Sequence, residues 1–366
     1  MSKRYTASAY MEWAKLNSGA TYNLATSGMR SCPLAELGVR LEELEVNGPT
    51  VYGYGPLQEA LAAKSGVKPG QVVASAGASL ANHLAIAASI EPGDEVLIEE
   101  PTYSLLVETA SYLGAKVTRF QRRREEGFQL NLAEVSRHLT ERTRLVVVTN
   151  LHNPTGAYTD EATLKRLGEM AHVVGARVLV DEVYLDMLPK ELLGWPARSS
   201  FHLGENFVVT NSLTKSYGLS GIRCGWILAQ EDLAHKIWRL NDLYSASPVF
   251  PAEQIAVAAL HVLPKLMERT RETLRVNHAA VDKYVAGQGG LELVRPLAGT
   301  VLFPRLKGGR VEEFCGLLRE KYEVSVVPGR FFEMPEHFRI GLGGEPGMTV
   351  EGLKRLGAAV DEFCAG

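Results

Sequence analysis

The stretch Asn211-Ser212-Leu213-Thr214-Lys215-Ser216-Tyr217-Gly218-Leu219-Ser220-Gly221-Ile222-Arg223-Cys224-Gly225 lies between two apolar runs, residues 207–210 and 226–229. The runs predict buried strands, so the stretch predicts a loop of mostly small residues that joins them. It carries one lysine, Lys215, and an arginine, Arg223, eight positions later. A lysine confined beside apolar walls loses solvation of its charged form. Its pKa then falls, and the free amine becomes available as a nucleophile.

Side chains that can hold a phosphate group surround this lysine. Ser212 and Thr214 offer hydroxyl groups, and the guanidinium of Arg223 can bind two phosphate oxygens at once. A free amine forms a Schiff base with an aldehyde. The combination of an amine with a phosphate site therefore indicates pyridoxal phosphate (PLP). The alternative is a solvent-exposed lysine beside an ion-paired arginine, and this stretch alone leaves both interpretations open.

Length and composition indicate a globular protein with no nucleic-acid or membrane partner. The 366 residues allow one large and one small domain, and 46% hydrophobic and 22% charged residues are ordinary values. A net charge of −3 argues against binding to nucleic acid or to an anionic membrane. Four cysteines without a CxxC pair indicate reduced thiols in a cytoplasmic protein and no metal site. We expect neither a signal peptide nor a membrane span.

Strand and helix patterns alternate between residues 48 and 270. Strands are predicted at 71–75, 95–98, 116–120, 145–149, 177–180 and 207–210, with helices at 57–64, 80–89, 104–113, 132–138 and 160–172. This alternation is typical of an α/β fold with a mostly parallel central sheet flanked by helices. Ligands of such sheets bind at the carboxyl ends of the strands. Asn153, Asp181 and Lys215 each follow a predicted strand end, so we expect them in one site.

The turn at residues 76–79 is a second candidate phosphate site. It contains a glycine and leads from a strand into a helix, which places the N–H groups of Ala78 and Ser79 at the positive helix end. A plain β–α turn is the alternative. By contrast, Tyr52-Gly53-Tyr54-Gly55-Pro56 follows no strand, so we reject a dinucleotide-binding fingerprint there.

The two ends of the chain have a different character. Residues 1–47 predict an N-terminal arm, with an amphipathic opening at Ala9–Leu16 and a helix at 35–45. A long helical stretch, interrupted by Pro264, leads into an α+β pattern with strands near 291–295, 300–304, 324–327 and 337–341 and a helix at 311–321. We predict a large PLP-binding domain at 48–270. A smaller α+β domain is predicted from residues 271–366 together with part of residues 1–47.

Four motifs occur in order along the chain: Asn153-Pro154-Thr155-Gly156, Asp181-Glu182-Val183-Tyr184, Ser212-x-Thr214-Lys215-x-x-Gly218-Leu219-x-Gly221-x-Arg223-x-Gly225 and His337-Phe338-Arg339-Ile340-Gly341. Together they resemble the class I/II aminotransferases of PLP fold type I, over nearly the whole chain. The resemblance implies an enzyme that moves an amino group between an amino acid and a 2-oxo acid by a ping-pong mechanism.

The resemblance also implies roles for the groups around the cofactor ring. Lys215 would form the Schiff base and then carry the proton between the substrate and the cofactor. Asp181 would pair with the pyridine nitrogen and keep it protonated. Asn153 and Tyr184 would hydrogen-bond the phenolic oxygen, and Tyr103 would stack on the ring. For the two tyrosines, a structural role in the core is the alternative.

The remaining implied roles concern the phosphate, the substrate and the partner subunit. The residues expected to hold the phosphate are Ala78, Ser79, Ser212, Thr214 and Arg223. Arg339 would grip the substrate α-carboxylate, with Asn153 and Gly28 beside it. The family shares its active site across a homodimer, in which a tyrosine of the partner subunit reaches the phosphate. Tyr52 is the candidate and Tyr54 the alternative, although the segment that follows is shorter than is common in the family.

Three functions remain open at this point. The first is transamination, and the second is another PLP reaction on the same scaffold: β-elimination, decarboxylation or amino-acid cyclisation. The third is a non-catalytic PLP-binding sensor, which would need a DNA-binding module that this N-terminal segment is too short to supply. The sequence does not identify the amino acid. Selection of its side chain is expected from residues 22–28 and 244–250.

Overall fold

The computed structural model describes residues 7–17, 19–49, 51–193 and 197–365. The helices are α1 (Ala9–Leu16), α2 (Gly55–Ser65), α3 (Gly77–Ser89), α4 (Ser104–Tyr112), α5 (Leu132–His138), α6 (Glu161–Val173), α7 (Lys190–Leu193), α8 (Glu231–Ser245), α9 (Phe250–His261), α10 (Leu263–Tyr284), α11 (Val311–Tyr322) and α12 (Pro346–Ala365). The strands are β1 (Tyr22–Asn23), β2 (Val72–Ala76), β3 (Glu95–Glu100), β4 (Lys116–Gln121), β5 (Thr143–Thr149), β6 (Arg177–Asp181), β7 (Phe207–Ser212), β8 (Cys224–Leu228), β9 (Leu291–Glu292), β10 (Val301–Leu302), β11 (Arg305–Leu306), β12 (Val324–Ser325), β13 (Val327–Pro328) and β14 (Phe338–Gly341).

A seven-stranded sheet forms the centre of the fold, in the order β2-β8-β7-β6-β5-β3-β4. Strand β8 is antiparallel to both of its neighbours, and the other pairs are parallel. The inner strands are buried on both faces, as expected for a parallel sheet covered by helices. The predicted α/β fold is therefore confirmed.

The strand register brings the ends of several strands to one edge of the sheet. Thr149, the last residue of β5, pairs with Asp181, the last residue of β6. Ser212 at the end of β7 pairs with Gly225 at the start of β8. Strand β2 ends beside the same residues, because Ser75 pairs with Gly225. The chain segments that follow β2, β5, β6 and β7 therefore leave the sheet side by side.

The C-terminal part of the chain forms smaller sheets. Strand β14 lies antiparallel between β10 and β13, and β9 pairs with β11. Strand β1 of the N-terminal arm pairs in parallel with β12, so both ends of the chain contribute to this part of the molecule. The predicted domain boundary at 270/271 falls inside the continuous helix α10.

Other predictions required correction. Residues 35–45 do not form one helix but two short 3₁₀ turns, Leu34–Leu37 and Leu41–Glu43. Gly38 ends the first turn with a φ of 70°, in the left-handed region that stops a helix and favours glycine. Helices α8 and α12 were not predicted. Within the described part of the chain, no helix has the length and apolar character that crossing a membrane requires.

Candidate active site

A cavity of about 470 Å³ opens at the edge of the sheet where these strands end. Ten of the residues singled out from the sequence line it: Ala78, Ser79, Tyr103, Asn153, Asp181, Tyr184, Ser212, Thr214, Lys215 and Arg223. The lining is completed by Met11, Lys15, Asn82, Thr149 and Val183. Asn153, Asp181 and Lys215, which were expected to meet because each follows a strand end, thus line one cavity.

Lys215 follows β7 and meets the N-terminal arm. Its Nζ donates to Ser27 Oγ at 2.9 Å, and its carbonyl accepts from the N–H of Met29 at 3.0 Å. A Cβ added at Gly28 would lie 3.6 Å from Lys215 Cδ, so the arm passes directly against the lysine side chain. Gly28 therefore lies beside the amine, although it does not line the cavity.

The surroundings of Lys215 favour its uncharged amine. Burial lowers the pKa of the side chain, and the positive charges of Arg339 and Arg223 lower it further. Tyr10 and Asp181 act in the opposite direction, but the net shift is downward. An amine with a lowered pKa has the property required of a nucleophile and of a general base.

Asp181 is held in one orientation at the end of β6. Its Oδ2 accepts from Asn82 Nδ2 at 2.7 Å, and its Oδ1 accepts from the N–H of Val183 at 3.2 Å. Asn82 is itself fixed by Thr210, whose hydroxyl donates to Asn82 Oδ1 at 2.5 Å. Burial raises the pKa of Asp181, while the hydrogen bonds and Lys215 lower it. The carboxylate is therefore a buried acceptor that a cationic ligand group would stabilise.

The loop that carries Asn153 is supported by a buried ion pair. The backbone N–H of Asn153 donates to Thr149 Oγ1 at 3.0 Å, and the Thr149 hydroxyl donates to Glu99 Oε1 at 2.7 Å. Glu99 pairs with Arg122 at 2.8 Å, and both side chains are completely buried. The position of Asn153 thus depends on charges that lie behind the cavity.

Arg339 is a buried cation whose hydrogen-bond partners in the described part of the chain are all neutral. Its Nη1 donates to Asn153 Oδ1 at 3.0 Å, and its Nη2 donates to Tyr10 Oη at 2.9 Å and to the Ala25 carbonyl at 3.2 Å. The residue is only 1% exposed, and Nε has no hydrogen-bond partner among the described residues. A buried guanidinium without a counter-ion is costly, so this arrangement calls for an anionic ligand. Arg339 lies behind Asn153 and is not itself part of the cavity wall.

Close backbone packing brings Arg223 over the first turn of α3. A Cβ at Gly77 would lie 2.3 Å from Arg223 Nη2, and one at Gly225 would lie 2.4 Å from the carbonyl carbon of Gly77. Among the described residues, Arg223 donates only to main-chain carbonyls, those of Ser220 and Ala76, each at 3.2 Å. Both glycines are therefore required for this close approach, and the guanidinium faces a helix N-terminus.

The same corner of the cavity has donors without partners. Among the described residues, no side chain caps the N-terminus of α3, and Ala78 and Ser79 lie in the first turn of this helix. The buried hydroxyl of Thr214 has no partner among the described residues. Free N–H groups, a hydroxyl and a guanidinium form a donor set that suits a phosphate dianion. With the amine of Lys215 and the carboxylate of Asp181 in the same cavity, the residues fit PLP.

Two tyrosines contribute to the remaining wall. Burial raises the pKa of Tyr184 to about 12. Ser27 lies close enough to the Tyr184 hydroxyl to lower its pKa in part. The hydroxyl nevertheless makes no hydrogen bond of ordinary geometry with the described residues. The hydroxyl of Tyr103 donates to Met11 Sδ at 3.8 Å, and its ring packs edge-on to Tyr10 at 5.7 Å.

Tyr52 and Tyr54 lie outside this cavity. Tyr52 is 48% exposed, and its hydroxyl donates to Asp242 Oδ2 at 2.9 Å. Tyr54 packs edge-on to Phe250, with ring centroids 5.0 Å apart. Neither tyrosine therefore contributes to the site of its own chain.

Residues that sequence reasoning missed also meet at the site. Asn82 is the one polar residue on the otherwise apolar buried face of α3, and that pattern was a usable signal. Ser27 lies within residues 22–28, the segment expected to select the substrate side chain, but no pattern in the sequence predicts its contact with Lys215. Tyr10 contacts a residue 329 positions away, and local sequence carries no sign of that pairing.

The sequence profile of the family "Aminotransferase class I and II" matches residues 35–357. The chain is 30% identical to a probable aspartate/prephenate aminotransferase of Aquifex aeolicus, with 86% of this chain and 85% of that protein covered. It is 31% identical to capreomycidine synthase of Streptomyces vinaceus, with 89% and 84% covered. The crystal structure of a PLP-dependent aminotransferase from Streptococcus suis superimposes with a TM-score of 0.89 at 29% identity, covering 97% of both chains.

The fold and the cavity define a PLP-dependent enzyme of fold type I. The chain belongs to the class I and II aminotransferases.

Proposed function

We propose that this enzyme moves the amino group of an amino acid to a 2-oxo acid in two half-reactions at the cavity around Lys215. PLP, when bound, supplies an aldehyde for the amine and a ring that withdraws electrons from the substrate Cα. Lys215 Nζ is the nucleophile for that aldehyde, and after release it is the base for the Cα proton. Its lowered pKa supports both roles.

The other residues bind and orient. Asp181 stabilises a cationic ring nitrogen with a carboxylate that Asn82 holds in place. Arg339 binds the α-carboxylate, and Asn153, which is hydrogen-bonded to Arg339, lies between it and the cavity. Gly28 leaves room for the substrate beside Lys215.

The cofactor is held from several sides. The phosphate is assigned to the N-terminus of α3 and to the loop that carries the lysine, through Ala78, Ser79, Ser212, Thr214 and Arg223. Tyr184 is assigned to the phenolic oxygen, together with Asn153, and Tyr103 to the face of the ring.

One observation carries this proposal. An amine with a lowered pKa, a fixed carboxylate and an uncapped helix N-terminus with an arginine line one cavity, and a buried guanidinium with only neutral partners lies directly behind it. Each of these groups alone is compatible with a purely structural role, but together they match a substrate that carries an amino and a carboxylate group.

A screen of amino donors tests the proposal. The PLP-loaded enzyme is mixed with single amino acids, and conversion of the cofactor to its amine form is followed by absorbance. We expect at least one amino acid to give this change and to yield its 2-oxo acid. Formation of ammonia with pyruvate, or of carbon dioxide, in place of the oxo acid would contradict transamination.

Cyclisation of an amino-acid intermediate is the second candidate. It is favoured by one observation: the identity to capreomycidine synthase is as high as that to the aminotransferase from Aquifex aeolicus. The residues that would hold the cofactor do not separate the two reactions. A cyclase would return its cofactor to the aldehyde form without a 2-oxo acid acceptor, so dependence of turnover on an acceptor discriminates them.

Replacement of Asp181 by Asn tests the assigned carboxylate. The amide keeps an acceptor for Asn82 but removes the negative charge, so we expect kcat to fall by about 10²–10³-fold, the usual effect of removing one electrostatic contact to the reacting group. The measurement is kcat for the best amino donor, with bound PLP quantified in parallel.

Glu182 provides the matched control for that variant. It is the next residue along the chain and equally buried, but its carboxylate accepts from the N–H and the hydroxyl of Ser200, at 2.7 and 2.6 Å. Burial raises its pKa to about 7, so Gln is a close mimic. We expect Glu182→Gln to keep its turnover. Equal losses in both variants would contradict the role assigned to Asp181.

We further propose that the enzyme is a cytoplasmic homodimer. Val46, Val51 and Val249 are 80%, 61% and 67% exposed and line one hollow of about 440 Å³, which also includes Tyr54. Clustered exposed apolar side chains indicate a protein interface. Tyr52 lies in the same segment, so a second copy of the chain seated there would bring this tyrosine towards its neighbour's site.

A charged residue in this hollow should disrupt the dimer. We expect Val249→Glu to shift the protein to monomer in sedimentation experiments, because a carboxylate would be buried without a partner. Val173→Glu is the control, since Val173 is 84% exposed at the end of α6, away from this hollow. A wild-type monomer, or a Val249→Glu variant that remains dimeric, would contradict the proposal.

A further inference from the structure

We infer that Tyr10 is a substrate-positioning residue: it holds the Arg339 site before the substrate binds, and its hydroxyl then donates a hydrogen bond to the substrate carboxylate. The inference rests on the proposed function, because it takes the ligand of Arg339 to be the α-carboxylate of an amino acid or a 2-oxo acid. It adds to that function a residue of α1, outside the motifs that identify the family.

The hydrogen bonds of Arg339 carry the first step. A guanidinium has five N–H donors, and a carboxylate bound at two points always uses Nη2 together with Nε or Nη1. In this structure both Nη2 protons are taken, one by Tyr10 Oη and one by the Ala25 carbonyl. Two-point binding of a carboxylate therefore requires one of these two acceptors to move.

Tyr10 is the acceptor that can move. The Ala25 carbonyl belongs to the arm, which is fixed where the N–H of Gly341 donates to the Leu24 carbonyl at 2.6 Å and the N–H of Leu24 donates to the Ser325 carbonyl at 2.9 Å. Tyr10 belongs to α1, a helix of eight residues in which it is the one buried residue. Movement of a side chain on a short helix disturbs less structure than movement of a backbone joined to two neighbouring segments.

The packing of the ring keeps the Tyr10 hydroxyl close to the site. The ring contacts Tyr103, Phe331 and Phe332, with centroids 5.7, 5.7 and 5.8 Å away. Arg339 also lies over the ring, 5.7 Å from its centroid. Tyr103 precedes α4, whereas Phe331 and Phe332 precede β14, so the Tyr10 ring is packed between two parts of the chain. A small shift of Tyr10 therefore frees Nη2 without removing the hydroxyl from the neighbourhood of the carboxylate.

The hydroxyl is suited to donate. It accepts one hydrogen bond from Arg339, and no acceptor for its own proton is present among the described residues. Burial raises the pKa of Tyr10, but the charge and the hydrogen bond of Arg339 are among the influences that lower it, and the net shift is downward. A more acidic phenol is a stronger hydrogen-bond donor to a carboxylate. Tyr10 would thus be a second ligand of the carboxylate beside Arg339.

Tyr10→Phe tests the inference because it removes only the hydroxyl and keeps the ring packing. We expect the KM of the amino acid to rise about tenfold, the value of one hydrogen bond to a charged group, with kcat within about twofold. The PLP-loaded enzyme is assayed with amino acids paired with the amines that lack their carboxylate: L-arginine and agmatine, and L-phenylalanine and 2-phenylethylamine. The preference for the amino acid over its amine should fall about tenfold.

Trp13→Phe is the control for looser packing of α1. Trp13 packs on Phe331 with centroids 5.6 Å apart and makes no hydrogen bond to Arg339, so we expect its amino acid to amine preference to equal that of the wild type. An unchanged KM in Tyr10→Phe, or a lower one, would overturn the inference, the lower value showing that Tyr10 only blocks the site. A wild-type enzyme that converts no amino acid would overturn the proposed function, and the inference with it.

Discussion

Replacement of Lys215 by Ala should lower kcat by about 10³-fold or more, because it removes the nucleophile and the base in one step. The side chain is held by Ser27 at 2.9 Å, and burial lowers its pKa, which favours the free amine. The variant should also lose the covalent link to PLP. Borohydride reduction followed by mass spectrometry should then find the cofactor attached to the wild type alone.

A second lysine controls for the loss of a side chain as such. Lys236 is exposed, and its Nζ donates to the Ala88 carbonyl at 3.0 Å, outside the cavity. We expect Lys236→Ala to keep its turnover and its reducible link to PLP. Normal turnover of Lys215→Ala without an added amine would contradict the role assigned to Lys215, and the proposed mechanism would then have no base.

Replacement of Arg122 by Met should lower the free energy of unfolding by about 3–5 kcal/mol, the usual effect of leaving one member of a buried ion pair unpaired. Glu99 would keep its bonds from the N–H and hydroxyl of Thr149, at 2.6 and 2.7 Å, but would have no cation. Since Thr149 also supports Asn153, the loop that carries Asn153 should loosen as well. Urea unfolding measures the first effect, and the KM of the amino acid measures the second.

Two further variants make this prediction specific. Adding Glu99→Gln to Arg122→Met should recover most of the lost stability, because the amide oxygen still accepts from Thr149 but carries no charge. Arg275→Met breaks an exposed ion pair with Glu272, at 2.7 Å, and should leave the free energy of unfolding nearly unchanged. Equal losses of stability in Arg122→Met and Arg275→Met would show that the buried ion pair stabilises the fold no more than the exposed one.

Much of the fold was predictable because local pattern carries it. The apolar runs of β5 and β7 and the helix patterns between strands predicted a parallel sheet, and the sheet is present. The segment 35–45 was wrongly predicted to be one helix, because its residues favour helix and the effect of the single glycine that ends the first turn was underestimated. The domain boundary and the roles of the site residues remain predictions.

The sequence by itself determined the cavity residues that follow strand ends, since parallel strands end at one edge of the sheet. Lys215, Asp181 and Asn153 could be chosen on that ground alone. Only the tertiary structure decided what surrounds them: the arm that passes Lys215 and the tyrosine that bonds Arg339. The physical reason is the distance along the chain between the contacting residues. Strand and helix patterns arise from neighbours along the chain, whereas these contacts join residues 188 and 329 positions apart, which no local pattern encodes.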